Sequence, residues 1–155
     1  MADEGTKTIV TNRRARYDFE LGDRFEAGLV LTGSEVKSLR SSKANLQDAF
    51  VGIARDGLDL FNLYIAPYEM GGYANHVPTR KRRLLLHARE IDKLRKGMEV
   101  KGFTIVPTRL YFKGGRAKVE IALGKGKKQH DKRHATAERD SKRQLDRIKK
   151  GGAVE

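Results

Sequence analysis

Apolar and polar positions alternate with a period near two along most of the first 124 residues, and that alternation disappears afterwards. From Tyr17, the apolar side chains Tyr17, Phe19 and Leu21 are separated by Asp18 and Glu20, which predicts a half-buried strand. Gly22-Asp23 predicts a turn, after which Phe25, Ala27, Leu29 and Leu31 alternate as a second, antiparallel strand. Thr32-Gly33-Ser34-Glu35 has the residues of a capping box, so a short helix is predicted from there to Ser41–Lys43, with Val36, Leu39 and Arg40 on one face. Residues 45–55 and 58–65 predict strands joined at Asp56-Gly57, a dipeptide that accepts the positive φ of a tight hairpin. Residues 66–82 contain Pro67, Gly71-Gly72 and Pro78 without a period, and a loop of that length in a compact domain is usually functional or mobile. Leu84-Leu85-Leu86 follows, then a predicted helix over 87–96 with Ile91 and Leu94 inward and Gly97 as its stop. Strands are predicted over 98–106, 108–113 and 116–123, the last two joined by Gly114-Gly115.

The fold class predicted is mainly β with short helices. Six to seven short antiparallel strands, with two to three inserted or flanking helices, fit a small closed barrel of the oligonucleotide-binding (OB) type, because closure removes exposed strand edges. Three regions are predicted: a polar, basic N-terminal lead-in over 1–14, the barrel over 15–124, and a basic C-terminal tail over 125–155.

The tail changes the picture from fold to partner. From Lys125 to the end there are eleven Lys or Arg against five Asp or Glu, with Leu145, Ile148 and Val154 as the large apolar residues. Such a segment buries too little to offset its ordering entropy and is expected to be disordered when free. On a helical wheel Arg139, Arg143, Arg147 and Lys150 share a stripe opposite Ala137, Ser141, Leu145 and Ile148. Glu138 with Lys142 and Asp146 with Lys150 are favourable i,i+4 pairs. A helix of roughly 14 residues is marginal in water, so it is expected to form on a partner.

Over the whole chain 33 Lys and Arg face 20 Asp and Glu, a formal charge of +13, which favours a polyanion as partner. Cysteine is absent, which excludes disulfides and thiolate metal sites. No apolar run approaches the roughly 20 residues of a membrane span, and Met1-Ala2-Asp3-Glu4 lacks the character of a signal peptide. A cytoplasmic protein without membrane association is expected.

Enzymatic patterns are weak. His130-Asp131-Lys132-Arg133-His134 has the i,i+4 histidine spacing of a zinc-protease helix, but five Lys or Arg between 125 and 133 disfavour a divalent cation. Gly28 and Gly33 have phosphate-loop spacing but lead into Ser34-Glu35, without the lysine that reaches phosphate. Neither a catalytic set nor a cofactor or metal site is expected. The basic clusters Arg13-Arg14-x-Arg16, Arg80–Arg83 and the tail point to RNA, with Tyr64, Tyr68, Tyr73, Tyr111 and Phe112 as stacking surfaces and Phe19, Phe25, Phe50, Phe61 and Phe103 as core.

In order along the chain stand Asn12-Arg13-Arg14-Ala15-Arg16, Phe25-Glu26-Ala27-Gly28-Leu29, Glu35-Val36-Lys37-Ser38-Leu39-Arg40 and Lys43-Ala44-Asn45. Arg83-Leu84-Leu85-Leu86-His87 and Lys125-Gly126-Lys127-Lys128-Gln129-His130-Asp131-Lys132-Arg133 follow. Over roughly residues 10–150 this set resembles the family of small protein B, the bacterial SsrA-binding proteins. The resemblance implies a non-enzymatic role in trans-translation. Such a protein binds the tRNA-like domain of transfer-messenger RNA (tmRNA) near its elbow and D-loop and occupies the vacant A site of a stalled ribosome. Its tail enters the decoding centre and the empty messenger channel. Elongation factor Tu is implied indirectly through the RNA, and a monomer is expected. The resemblance assigns tmRNA binding to Asn12, Arg13, Arg14, Glu26, Arg40, Leu85 and Lys118. It assigns the ribosome-binding tail to Lys127, Lys128, His130, Asp131, Lys132, Arg133, Arg139, Arg143, Arg147 and Ile148. By pattern alone Glu26 reads as a solvent-facing strand residue and Leu85 as core. The alternative is a generic ribosome-associated or structured-RNA-binding OB-type protein.

Overall fold

The structure is a computed structural model that describes residues 5–72 and 75–127. Its elements are β1 (Thr6–Thr11), α1 (Arg13–Asp18), β2 (Phe19–Leu29), α2 (Gly33–Arg40), β3 (Ala44–Asn45), β4 (Phe50–Ala54) and β5 (Gly57–Phe61). They continue with β6 (Tyr64–Ile65), β7 (Arg82–Leu85), α3 (Ala88–Glu99), β8 (Phe103–Lys113) and β9 (Arg116–Gly126). Seven strands form one sheet in the order β1-β8-β9-β2-β7-β5-β4, and β3 pairs with β6 separately. Every pairing is antiparallel.

The two-residue period assigns one face of this sheet to the core. Leu84 stands opposite both Leu29 and Leu58, and Val119 opposite both Ala27 and Leu110. Leu39 of α2 and Leu94 of α3 close over the same apolar cluster. The mainly β class with a few helices is therefore as expected. The ladder itself is open: β1 and β4 end it without pairing to each other, and β4 packs against β8 instead. The terminal strand β1 carries Lys7 among threonines, a composition that discourages further pairing at an exposed edge without closure.

Several local expectations are corrected. Residues 5–14 are not a lead-in: β1 pairs along β8, and Asn12 caps α1. The β1 segment has Ile9 and Val10 side by side, so it lacks the alternation by which a strand is recognised. Gly22-Asp23 does not turn the chain; β2 passes through with a register shift between Leu21 and Arg24, a bulge. Pro107 likewise does not end a strand. It sits in β8 at a register shift and just beyond the stretch paired to β1, so its missing N–H costs no ladder bond there. The first hairpin turns at Arg55-Asp56, one residue early, with Gly57 already paired to Ala54. Gly114-Gly115 turns β8 into β9 as predicted, with φ of +57° and +77°. Strand β9 extends past 124 to Gly126, and Gly97 lies within α3 against Leu123. Of the α2 face, Leu39 is buried whereas Arg40 is exposed.

Candidate nucleic-acid interface

The sheet's outer face carries the residues that set this chain apart from a bare scaffold. On β2, Glu26 and Gly28 point away from Ala27 and Leu29, which face the core. The ladder places Leu85 of β7 on one side of Gly28 and Lys118 of β9 on the other. Leu85 is 58% exposed, so the middle leucine of the triplet faces outward and is not core. A Cβ at position 28 would lie 3.2 Å from the Leu85 Cβ and 3.7 Å from the Lys118 Nζ; glycine lets these two side chains lie close over the strand. A concavity of about 300 Å³ runs from Gly28, Leu85 and Lys118 past Arg116 and Val36 to Leu29, Leu31, Phe112 and Ala117, which pack with the core; Glu26 does not line it.

Beside it lie two carboxylates. Glu26 stands directly opposite Glu120 in the ladder, an arrangement that repels unless each charge has its own partners. The Tyr111 hydroxyl donates to Glu26 Oε2 at 2.5 Å and Lys113 Nζ approaches the same oxygen at 3.3 Å. Thr108 donates to Glu120 Oε2 at 2.5 Å, with Arg24 at 3.4 Å and Arg109 at 3.8 Å. The Tyr111 hydrogen bond, aided by Lys113 and Lys118, outweighs burial and holds the Glu26 carboxyl below its ordinary range. Burial and the Glu26 carboxylate push the Tyr111 phenol upward. The Arg109 guanidinium lies over the Tyr111 ring, 4.5 Å from its centroid. Tyr111 is therefore not a free stacking surface: it stands on the same face opposite Lys118, buried by its neighbours, and holds Glu26 from the side.

A second polar region surrounds α1. Asn12 is 7% exposed, and its side chain is occupied inside the protein. Its Oδ1 accepts from the Ala15 amide at 3.3 Å, and its Nδ2 donates to Pro107 O at 2.9 Å and Leu46 O at 3.4 Å. Asn12 therefore fixes the start of α1 and leaves Arg13 and Arg14 exposed on it, Arg14 with Asp18 at 3.3 Å. Lys127 ends the described chain against the same helix: its amide donates to Asp18 O and its Nζ to Arg16 O, each at 2.9 Å. Arg40 is exposed at the end of α2.

The basic run Arg80–Arg83 is largely spent internally. Arg82 and Glu35 are both fully buried, with Arg82 Nε on Glu35 Oε2 at 2.5 Å and Arg80 Nη2 on Oε1 at 2.6 Å. Arg82 also donates to Leu63 O and Pro78 O, so it pins the loop before it. Arg83 pairs with Asp59 at 2.8 Å and Asp56 at 3.1 Å. Phe50 and Phe61, expected in the core, stack on each other at 5.1 Å, and Phe50 is 48% exposed. His76 bridges Ser34 and the Ile65 carbonyl, each at 2.9 Å.

The family model of the SmpB protein matches residues 9–151. The chain belongs to the SmpB family. An SsrA-binding protein of Deinococcus radiodurans is 57% identical over 139 residues, which cover 90% of this chain and 97% of that one. An SsrA-binding protein of Thermobifida fusca is 54% identical over 144 residues, covering 93% and 90%. A solved structure described as "tmRNA-SmpB: a journey to the center of the bacterial ribosome" superposes with a TM-score of 0.67 at 47% identity, covering 82% of this chain and 93% of that chain.

As a member of the SmpB family, the chain divides its expected site residues into three groups. Glu26, Leu85 and Lys118 come together on the outer sheet face. Asn12, Arg13, Arg14 and Lys127 gather at α1, and Arg40 stands on α2. Lys128, His130, Asp131, Lys132, Arg133, Arg139, Arg143, Arg147 and Ile148 lie outside the described residues, as does Tyr73. Among the described residues no group of three His, Asp or Glu is placed to hold a metal, and no helix is long and apolar enough to cross a membrane. Sequence reasoning missed Glu120 and the supporting role of Tyr111; the signal was the pairing of β9 with both β2 and β8, which a linear pattern does not contain.

Proposed function

We propose that this chain is a non-enzymatic, cytoplasmic RNA-binding protein of trans-translation. It binds the tRNA-like domain of tmRNA through its outer sheet face and brings that RNA to the A site of a stalled ribosome. The observation that carries the reading is the juxtaposition of Glu26, Leu85 and Lys118 around Gly28, in a chain whose family model spans 9–151. An exposed leucine beside a lysine and an acceptor carboxylate supplies apolar contact, phosphate attraction and base-edge hydrogen bonding in one patch. Asn12 acts as a support that presents Arg13 and Arg14 to phosphates. The curled sheet, with β4 packed on β8, supports an OB-type barrel closed by side chains rather than by pairing.

In this reading residues 128–155 form the ribosomal arm. They leave the body at Lys127, whose two bonds to α1 set the exit direction. His130, Asp131, Lys132 and Arg133 meet the decoding centre, and Arg139, Arg143, Arg147 and Ile148 follow the empty messenger channel. Elongation factor Tu takes part through the RNA, and the protein acts as a monomer. A chain ending at Lys127 tests this: it should bind the tRNA-like domain with the affinity of the full chain but fail to support tagging of stalled peptides in a reconstituted translation reaction. Loss of RNA binding on truncation would overturn the assignment of the two parts.

A further inference from the structure

The concavity that opens beside Leu85 and Lys118 has a chemistry that a nucleic-acid backbone leaves half unused. It passes between Arg116, at the start of β9, and Val36 of α2. Its inner end is formed by Leu29, Leu31 and Phe112, side chains that pack with the core cluster. At about 300 Å³ it is at the small end of the range for ligand sites, and it lies at one mouth of the curled sheet. The charged groups on its lining are both cations, Arg116 and Lys118, and no carboxylate is among the lining residues. Lys118 is half-buried and lends charge to Glu26. Yet among the described residues neither it nor Arg116 makes a hydrogen bond or salt bridge.

An apolar recess behind two cations is complementary to a molecule with an anionic head and an apolar body. A backbone phosphate carries the charge but is followed by a polar sugar, so the recess gains nothing from it. A neutral hydrocarbon fills the recess and leaves both cations as they are, and a cationic amphiphile is repelled by them. We propose that this concavity binds a small single-chain amphiphile with an anionic head. The head pairs with Lys118 and Arg116, and the chain lies against Leu29, Leu31, Val36 and Phe112. Burial of the chain supplies most of the affinity, and the two cations select the sign of the head. The inner walls are already packed into the core, so little ordering opposes binding. In the proposed function Lys118 and Leu85 meet RNA, so an amphiphile seated between them excludes that RNA. This regulatory consequence rests on the RNA-binding reading; the site itself does not.

The test uses the full-length protein, labelled at its leucine and valine methyl groups, with sodium decanoate as the probe. The methyl resonances of Leu29, Leu31, Val36 and Leu85 should shift together and saturate, with half-saturation below about 1 mM. Decanol and decylamine should each bind at least about tenfold more weakly. Arg116 is exposed, so Arg116→Glu should melt as the wild type does and weaken decanoate about tenfold. Val36→Asp puts a carboxylate on the lining and should abolish saturation; Arg116→Glu keeps the test standing if that variant does not fold. No saturable shift of those methyls, or decanol binding as tightly as decanoate, would overturn the anion site. Decanoate should also displace the tmRNA tRNA-like domain from wild type near its half-saturating concentration, and from Arg116→Glu only at about tenfold more. Saturable binding without displacement supports the site and overturns its link to RNA. A wild type that does not prefer the tRNA-like domain over a structured RNA of equal length overturns the RNA reading, and the methyl shifts still decide the site.

Discussion

Replacing Glu35 by alanine removes the two oxygens that hold Arg80 at 2.6 Å and Arg82 at 2.5 Å. Arg82 and Glu35 have no solvent exposure, so the guanidinium left behind keeps the Leu63 and Pro78 carbonyls but no counter-charge. Removing one partner of a buried ion pair costs about 3–5 kcal/mol. The Thr32 amide also loses Glu35 Oε1, its 2.8 Å acceptor at the start of α2. Against a total stability of about 5–15 kcal/mol, a loss of about 4 kcal/mol is severe. In urea denaturation followed by far-ultraviolet circular dichroism, the midpoint should fall with the slope unchanged. The pH dependence separates charge from packing. Burial raises the Glu35 pKa, but the Arg80 bond, the Thr32 amide and Arg82 reverse this, and the net shift is downward from the ordinary carboxyl value. A carboxyl lowered on folding contributes stability that is present above its unfolded pKa and is lost as pH falls through the folded one. Wild type should therefore lose stability below about pH 4.5 more steeply than Glu35→Ala. A stability change under about 1 kcal/mol, or parallel acid limbs in the two proteins, would refute the reasoning.

Asn12→Ala should lower stability by about 1–2 kcal/mol through the lost cap, and weaken RNA binding only as α1 loosens. Arg13→Ala and Arg14→Ala should instead leave the melting temperature unchanged and reduce the salt dependence of RNA affinity by about one counterion each. Leu85→Ala removes an exposed side chain, so stability should change by less than about 0.5 kcal/mol while RNA affinity falls; a titration and a thermal melt on one preparation check both. Gly52→Ala places a Cβ 2.6 Å from the Phe61 ring and forces the Phe50–Phe61 stack apart, with an expected loss of about 1 kcal/mol in the same melt.

Much of the fold was legible because strand alternation, the Thr32–Glu35 box and Gly114-Gly115 are local signals, each decided by a few adjacent residues. Bulges are not. Gly22-Asp23 and Pro107 have the composition of turns, and only pairing with β9 keeps the chain extended through them. Strand β1 and the cap at Asn12 depend on β8, almost a hundred residues away, so a reading of the first fourteen residues by themselves sees polarity. The candidate site divides in the same way. Leu85 and Glu26 are ambiguous in sequence because each fits a common structural role, and their adjacency around Gly28 exists only in the ladder. Arg80–Arg83 misled in the opposite sense: a basic run looks like an RNA surface until Glu35, Asp56 and Asp59 are found opposite it.

That internal use of charge bears on how affinity and selectivity are divided. Of the three basic clusters, Arg80–Arg83 neutralises carboxylates of the protein itself, so the phosphate attraction of a +13 chain is left to α1, the outer-face lysines and the tail. Each exposed cation adds to binding of any RNA and is weakened by salt. Glu26 and Glu120 work against that attraction: two carboxylates, held by Tyr111, Lys113, Thr108 and Arg109, sit within the cationic face. A surface evolved for affinity alone would not retain them, since their removal would raise attraction for every polyanion. In the proposed function their value lies in discrimination, because a backbone phosphate brought to that point would be repelled while a base amino group would be accepted. Raising salt should therefore weaken binding to all RNAs yet widen the ratio between the preferred RNA and bulk RNA, as the screened contacts are those that carry no sequence.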